Sequence, residues 1–290
     1  MYVLFDIGGT KMRVAVSKDG ETFCEPKKIP TPHNFEEGVR AFGELAHELA
    51  GGAKIEAAAG GIAGPLDKNR TMLVNSPNIS DWIQKPLTES LAHSINAPVF
   101  VENDNAIVGL GEVTAGAAKG CDIVAYVGVG TGVGGTRYVD GRIDRSAFGF
   151  EIGHQIIDAD GSLTHTPDGD TRCLGCGQVG HLEGYVSGRS FENRYGKKAY
   201  DIDDPAVWEQ AAKLLSYGLY NTMVHWSPDV ICLGGSMIMG NPVIPMDRIE
   251  YYLRTITKIF PTLPKLKKAE LGDVGGLYGA LAFLKQKMGE

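Results

Sequence analysis

Apolar residues recur along this chain in two rhythms, one short and one helical. Tyr2–Asp6 and Met12–Val16 are brief apolar runs joined at Gly8-Gly9-Thr10, the pattern of a hairpin, and Glu21–Cys24, past the Lys18-Asp19-Gly20 turn, reads as a third strand. The spacing then lengthens: Phe35, Val39, Phe42, Leu45 and Leu49 share one helical face, with Asn34 and Glu37 as a capping box ahead and Gly51-Gly52 as the stop. Ile55–Ala63 and Pro98–Glu102 read as buried strands, and a helix is expected from Asn103-Asp104 to about Ala115. Ile123–Gly128 and Gly132–Tyr138 form a second hairpin around a Gly-Thr turn, so the opening pattern repeats and reads as an internal duplication. Farther on, Pro205–Trp226 sets Ala211, Leu214, Leu215, Leu219 and Met223 on one side of a long helix. Asp229–Leu233 is a strand running into Gly234-Gly235, and Tyr251–Ile259 and Leu277–Lys287 are closing helices.

Strands and helices are mixed throughout, so the fold class is α/β. A chain of 290 residues lies near the upper limit for one core, and two lobes with a ligand cleft between them are expected. The boundary is placed at Asn103. A smaller N-terminal lobe (1–103, joined by a C-terminal helix at about 277–290) faces a larger one (104–276) that carries a loop insert.

Charge and cysteine content narrow the function classes. A net charge of −7 without a basic stripe sets nucleic acid aside as a partner. The apolar run after Met1 is too short for a signal peptide, and no stretch approaches a membrane span, so no membrane partner is expected. Five cysteines are an odd set, with Cys24, Cys121 and Cys232 standing alone, which fits a reducing, cytoplasmic compartment.

Four glycine-rich turns sit at strand or helix ends: Gly8-Gly9, Gly128–Gly135, Gly234-Gly235 and Gly275-Gly276. In the first, two glycines permit positive φ and bare successive N–H groups to phosphate oxygens, with Asp6 placed to hold Mg²⁺ through water. The second has five glycines in eight residues, more than a hairpin needs, which implies a backbone lying against a ligand such as phosphate. Each alone also fits a plain turn; together they could line a nucleotide site. Asp104 reads either as a helix N-cap or as a general base, with Asn103 orienting a sugar hydroxyl.

The segment from Gly149 to Gly184 holds three of the seven histidines, and its chemistry is of another kind. Cys173-x-x-Cys176 with His154 and His181 offers two thiolates and two imidazoles, a set that favours Zn²⁺ over Mg²⁺, with His165 in reserve. The rivals are a thioredoxin-type redox pair, which lacks its βαβ setting here, and a metal-free loop with buried cysteines.

In order, Asp6–Lys11, Gly64-Pro65, Asn75–Asn78 with Trp82, Glu102–Asp104, Gly128–Gly135, Glu151–His154, Cys176–Glu183, Gly234-Gly235 and Gly275–Ala280 resemble the ROK family of bacterial sugar kinases and sugar-responsive repressors. The resemblance runs essentially from Met1 to the C-terminal helix. It implies the actin-like ATPase (ribonuclease H-like) fold, two lobes around a nucleotide and sugar cleft, and a homodimer. By resemblance, Asp104 is the catalytic base, and Gly64, Asn78, Asn103, Glu151, His154 and Glu183 surround the sugar. Asp6, Gly8, Gly9, Thr10, Lys11, Gly130, Thr131 and Gly132 serve phosphate and Mg²⁺; Gly234, Gly235 and Gly276 serve the adenosine; His154 also ligates zinc. The family's Cys-x-Cys-Gly-x-x-Gly-Cys-x-Glu pattern is altered: Leu174 holds the first cysteine position, Cys173 lies one residue earlier, and His181 replaces the last cysteine. With no helix-turn-helix ahead of the first strand, the kinase branch is expected rather than the DNA-binding one.

The implied reaction is transfer of the ATP γ-phosphoryl group to a hexose hydroxyl, with glucose ahead of N-acetylhexosamines and fructose and the 6-hydroxyl as acceptor. Two other classes stay open. One is a non-catalytic sugar sensor; the other is a sugar-independent ATPase, in which Glu151, His154 and Glu183 have no role.

Overall fold

The computed structural model describes residues 1–76, 78–163 and 170–289. His165, Pro77 of the Asn75–Asn78 loop and Glu290 at the chain end lie outside the described residues. The backbone divides into two units, the first made of Met1–Lys119, Arg142–Gly149 and Glu270–Glu290, the second of Gly120–Gly141 and Phe150–Ala269.

In the first unit, β1 (Tyr2–Ile7) and β2 (Lys11–Ser17) form the expected hairpin, with Asp6 opposite Arg13. The third strand, β3, is Lys27–Pro30 and not Glu21–Cys24. Asp19 explains the shift: its Oδ1 accepts from the Glu21 and Thr22 N–H groups at 2.9 Å each, which takes the donors a ladder needs. Only at Cys24 does the segment reach back, its N–H donating to Val16 O at 2.9 Å.

Two parallel strands, β4 (Ala57–Ile62) and β5 (Val99–Asn103), complete the order β3-β2-β1-β4-β5. The crossovers run through α1 (Phe35–Ala50) and α2 (Leu87–Ile95). Asn34 caps α1 by accepting from Glu37 N–H at 2.9 Å, and Gly51 ends it at φ 59°. Phe35, Phe42 and Leu45 then bury against Phe5, Val14 and Trp82 in one core.

The expected boundary at residue 103 differs from the packing, because α3 (Asp104–Thr114) belongs to the first unit with α9 (Gly275–Met288). Glycines make that helix contact unusually close: a Cβ on Gly279 would lie 1.7 Å from Ile107 O, and one on Gly111 2.3 Å from Gly275 O. Below it, the buried Glu112 carboxylate accepts from the N–H groups of Ala117 (2.9 Å), Glu270 (3.0 Å) and Leu271 (2.9 Å).

The second unit repeats the topology. β6 (Ile123–Val129) pairs antiparallel with β7 (Val133–Val139); a two-residue strand, β8 (Arg142–Ile143), follows in the chain. β9 (Val230–Gly234) lies parallel to β6, and β10 (Lys265–Lys268) parallel to β9. The order β7-β6-β9-β10 therefore mirrors β2-β1-β4-β5, in line with the duplicated hairpin pattern.

Its helices are α4 (Glu183–Val186), α5 (Gly188–Tyr195), α6 (Pro205–Trp226), α7 (Ser236–Met239) and α8 (Met246–Ile256). α6 has the expected ends, with Asp204 accepting from Ala206 N–H at 2.9 Å. α8 starts earlier than Tyr251 because Pro245 can stand directly ahead of a first turn, and it stops before Ile259. Among the described residues, no helix is long and apolar enough to cross a membrane.

Candidate functional site

The first unit gathers one set of the expected residues at the ends of β1, β4 and β5. Asp6 ends β1 but for one residue, and its Oδ2 receives Arg13 Nη1 at 2.9 Å; both side chains are about 15% exposed. Burial raises the Asp6 carboxyl above its ordinary range, while the charge and hydrogen bond of Arg13 act in the opposite direction. In the adjoining turn, Gly8 N–H donates to Lys11 O at 2.9 Å and Thr31 Oγ donates to Gly8 O at 2.7 Å.

The expected positive φ is absent at Gly8 and Gly9. These glycines answer to space instead: a Cβ on Gly9 would lie 2.4 Å from the Asn78 Cβ, so Asn78 rests directly on the turn. Thr10 and Lys11 are exposed. Gly276, expected with the adenosine elements, lies beside Asp6, where its Cβ would stand 3.3 Å from the Asp6 Cβ and Cγ.

Asn103, and not Asp104, is the N-cap of α3: its Oδ1 accepts from Ala106 N–H at 3.3 Å, while its Nδ2 donates to Gly64 O at 3.1 Å. Gly64 needs to be glycine, since it sits at φ 125° with Asn75 O only 2.4 Å from a would-be Cβ. Asp104 is thereby released from capping. Its Oδ1 accepts from Asn105 N–H at 2.8 Å, and Gly61 makes room for it, as a Cβ there would come 2.9 Å from the Asp104 Cα.

The second unit gathers the rest. The Gly130–Gly132 turn joins β6 to β7, and the start of α5 is fastened to it, Gly188 N–H donating to Gly130 O at 2.7 Å and Arg189 N–H to Thr131 O at 3.2 Å. Some of the glycine excess serves protein packing: a Cβ on Gly132 would meet Glu183 Oε2 at 2.6 Å, and one on Gly135 the Ile152 side chain at 2.4 Å. Gly235 sits at φ 86° with its Cβ direction blocked by Val129 O at 2.3 Å, and Gly234 faces the Tyr126 hydroxyl.

Around Glu183 the metal-type residues converge. The donor atoms of His154, Cys173, Cys176 and His181 all lie within 4.8 Å of one another. The separations are 3.3 Å between the two Nδ1 atoms, 3.7 Å from Cys173 Sγ to His154 Nδ1, and 3.3 Å from Cys176 Sγ to His181 Nδ1. Zn–N bonds of about 2.0–2.1 Å and Zn–S bonds of about 2.3 Å put the edges of a tetrahedron at roughly 3.3–3.8 Å, so the donor set fits that ion. His154 turns its other nitrogen, Nε2, to Glu151 Oε2 at 3.8 Å.

Burial and close neighbours shift the ionisable groups of this set. Burial pushes the Cys173 thiol up to about 12, and Glu183 adds to this. Burial and then the neighbouring His154 lower the His181 imidazole. Desolvation raises the Glu151 carboxyl, with Glu183 adding to the effect and His154 opposing it, although the side chain keeps 46% of its surface exposed.

Two residues escaped the motif reading. Arg13 was legible in principle, because a tight turn after Ile7 sets positions 6 and 13 opposite each other. Arg70 was not: it stands at φ 60° and reaches the buried Glu102 carboxylate with Nε at 2.9 Å.

The sequence model of the ROK family matches residues 2–287. An N-acetyl-D-glucosamine kinase of Escherichia fergusonii is 28% identical over 306 aligned positions, covering 98% of this chain and 99% of that one. Among solved structures, a ROK hexokinase from Thermus thermophilus superposes with a TM-score of 0.81 at 30% identity over 99% of both chains. A ROK family glucokinase from Streptomyces griseus, in complex with glucose and AMPPNP, gives 0.77 at 27% identity over 98% of this chain and 99% of that one. The fold is the actin-like ATPase fold, as the motif series led us to expect.

Proposed function

The chain belongs to the ROK family, and from that premise we propose that it is an ATP-dependent sugar kinase acting on the 6-hydroxyl of a hexose, glucose foremost. The observation that carries this reading is Asp104, which stands in the first turn of α3 with the capping duty taken by Asn103. A carboxylate at that position can accept the hydroxyl proton as the new P–O bond forms. Gly64 and Asn78 approach the sugar from the same unit as Asn103 and Asp104.

In the second unit Glu151 and Glu183 accept from sugar hydroxyls, and His154 Nε2 adds a further polar contact. N–H groups of the Gly8–Thr10 and Gly130–Gly132 turns take phosphate oxygens, with Lys11 alongside as a cation. Gly234, Gly235 and Gly276 border the nucleotide. Mg²⁺, held by Asp6 through water, offsets charge on the transferring phosphates when bound. His154, Cys173, Cys176 and His181 would hold Zn²⁺, whose part is to brace the loop that leads into Glu183.

N-acetylhexosamines are the second reading, supported by the identity to an N-acetyl-D-glucosamine kinase along nearly the full chain. Purified protein with Mg²⁺·ATP and a panel of glucose, N-acetylglucosamine, N-acetylmannosamine and fructose decides between them through coupled ADP release, with NMR of the product locating the phosphate. Sugar binding without turnover points to a sensor instead, and ADP release that ignores sugar points to a plain ATPase. Light scattering on the same sample tests the homodimer.

A further inference from the structure

Asp6, Arg13 and Lys28 form one row across three strands, since Asp6 is opposite Arg13 on β1–β2 and Arg13 is opposite Lys28 on β2–β3. Cross-strand neighbours in a row share a face of the sheet, and opposite charges there attract. The row is closed from outside by Asp273, whose Oδ2 lies 3.4 Å from Arg13 Nη2 and 3.2 Å from Lys28 Nζ. The Arg13 guanidinium is therefore fixed at both ends, by Asp6 through Nη1 and by Asp273 through Nη2.

The consequence falls on the Asp6 carboxylate. Its Oδ2 is bonded to Arg13, and the same oxygen lies 3.4 Å from where a Gly276 Cβ would be, so one side of the group is enclosed by β2 and the first turn of α9. The carboxylate thus has Oδ2 held by Arg13, while Oδ1 carries no hydrogen bond among the described residues. A fully exposed ion pair in such a place would be worth little, but both partners here are about 15% exposed.

We propose that Arg13 is a positioning residue for phosphoryl transfer: by holding Oδ2 of Asp6 it presents Oδ1 to the divalent cation of the nucleotide. This rests on the reading of Asp6 as the Mg²⁺ element. The two-point hold needs a planar guanidinium, so lysine, a single flexible charge, serves only in part. Arg13 acts through Asp6 and touches no reacting atom.

The test uses the full-length chain with Mn²⁺ and ADP, following bound Mn²⁺ by electron paramagnetic resonance, so that turnover is not the readout. Arg13→Met should weaken Mn²⁺·ADP binding by about 10–100-fold, the usual cost of losing a residue that orients a metal-binding group. Glucose affinity measured without nucleotide should stay unchanged. Arg13→Lys should fall between Met and wild type, and Arg13→Met on an Asp6→Asn background should cost nothing further, because there is no carboxylate left to orient. Asp273→Asn, which releases only the outer end of the guanidinium, gives a milder loss in the same direction and covers the case in which Arg13→Met does not fold.

Unchanged or tighter Mn²⁺·ADP binding in Arg13→Met or Asp273→Asn, with Asp6→Asn weakened, overturns the role of Arg13 alone. Full binding in Asp6→Asn overturns the reading of Asp6, and this inference with it.

Discussion

Val133 N–H donates to Glu183 Oε2 at 2.9 Å, while Oε1 of the same carboxylate lies 3.5 Å from Cys173 Sγ. One side chain thus joins the glycine turn of β6–β7 to the Cys/His cluster. If Glu183 and Glu151 also accept from sugar hydroxyls, Glu183→Gln and Glu151→Gln should raise the sugar KM far more than the ATP KM. Bonds to a charged acceptor are worth about 1.5–3 kcal/mol, or roughly 10–100-fold in KM. Initial rates with each substrate varied in turn check this, and equal effects on both substrates would show that the placement is wrong.

Asp104→Asn keeps the shape and the acceptor for Asn105 N–H but removes the base. The expected loss in kcat is about 10²–10⁴-fold or more, with sugar and nucleotide binding retained. Stopped-time assays with binding by calorimetry separate the two. A variant turning over near the wild-type rate would remove Asp104 from the mechanism.

Protein purified without added metal should contain one zinc per chain, and its removal by a strong chelator should lower Tm and weaken sugar binding before ATP binding. Substituting Co²⁺ gives a direct view of the ligands: tetrahedral Co²⁺ with two thiolates has strong visible and near-ultraviolet bands. Cys176→Ser should remove part of the thiolate band. Metal-free protein with unaltered sugar affinity would return the cluster to a set of buried side chains.

Glu209 gives a pH dependence of known sign. Hydrogen bonds from Arg248, whose Nε lies 2.9 Å from both carboxylate oxygens, and from Tyr252 lower its pKa in the folded chain. A lowered folded pKa means stability that is present above the unfolded value and lost as pH falls through the folded one. Tm of wild type minus Tm of Glu209→Gln should therefore be positive near neutrality and shrink below the ordinary carboxylate range. The group is partly exposed, so the underlying stability difference should be modest, under about 1 kcal/mol. A gap that grows on acidification contradicts the assignment.

Gly279→Ala pits two effects against each other. Alanine gains about 1 kcal/mol of helix propensity, yet its Cβ would lie 1.7 Å from Ile107 O, and backbone has little room to yield. The clash should win, with a net loss at or beyond the upper end of about 1–3 kcal/mol. Denaturant unfolding measures it. Gly51→Ala, where a Cβ meets nothing within 4 Å, is the control for positive-φ strain alone.

Much of this architecture was readable in the residues because the local signals agreed with one another. The Asn34 cap, the Pro205 start of α6 and the strand ends around each glycine turn came out within a residue or two. So did the four clustered donors, since Cys-x-x-Cys with two flanking histidines has few other uses. What escaped was set by tertiary contact. Glu21–Cys24 alternates like a strand, but Asp19 takes its N–H groups. Gly9 looked like a φ requirement and proved to be a clearance for Asn78, a residue far along the chain that no turn rule mentions. The boundary at residue 103 brought the C-terminal helix back to the first lobe but left α3 in the other one; α9 returns to lie on α3 itself, and a helix pair joined across so long a separation leaves no mark in local composition.

That return has a consequence for how the protein is made. The first unit is built from the beginning of the chain, yet α3 has its glycine-lined partner only in α9, and Glu112 has two of its N–H donors only at Glu270 and Leu271. During synthesis, at about 5–20 residues per second, domains generally fold as their residues emerge, N-terminal first. Here the order is inverted. The second unit closes at Ala269, while the first waits with the buried Glu112 carboxylate incompletely satisfied and one face of α3 uncovered until the last helix leaves the ribosome. A released chain truncated after Ala269 should hold a protected second unit beside a protease-sensitive first one, so loss of α9 injures the part of the molecule that is made first.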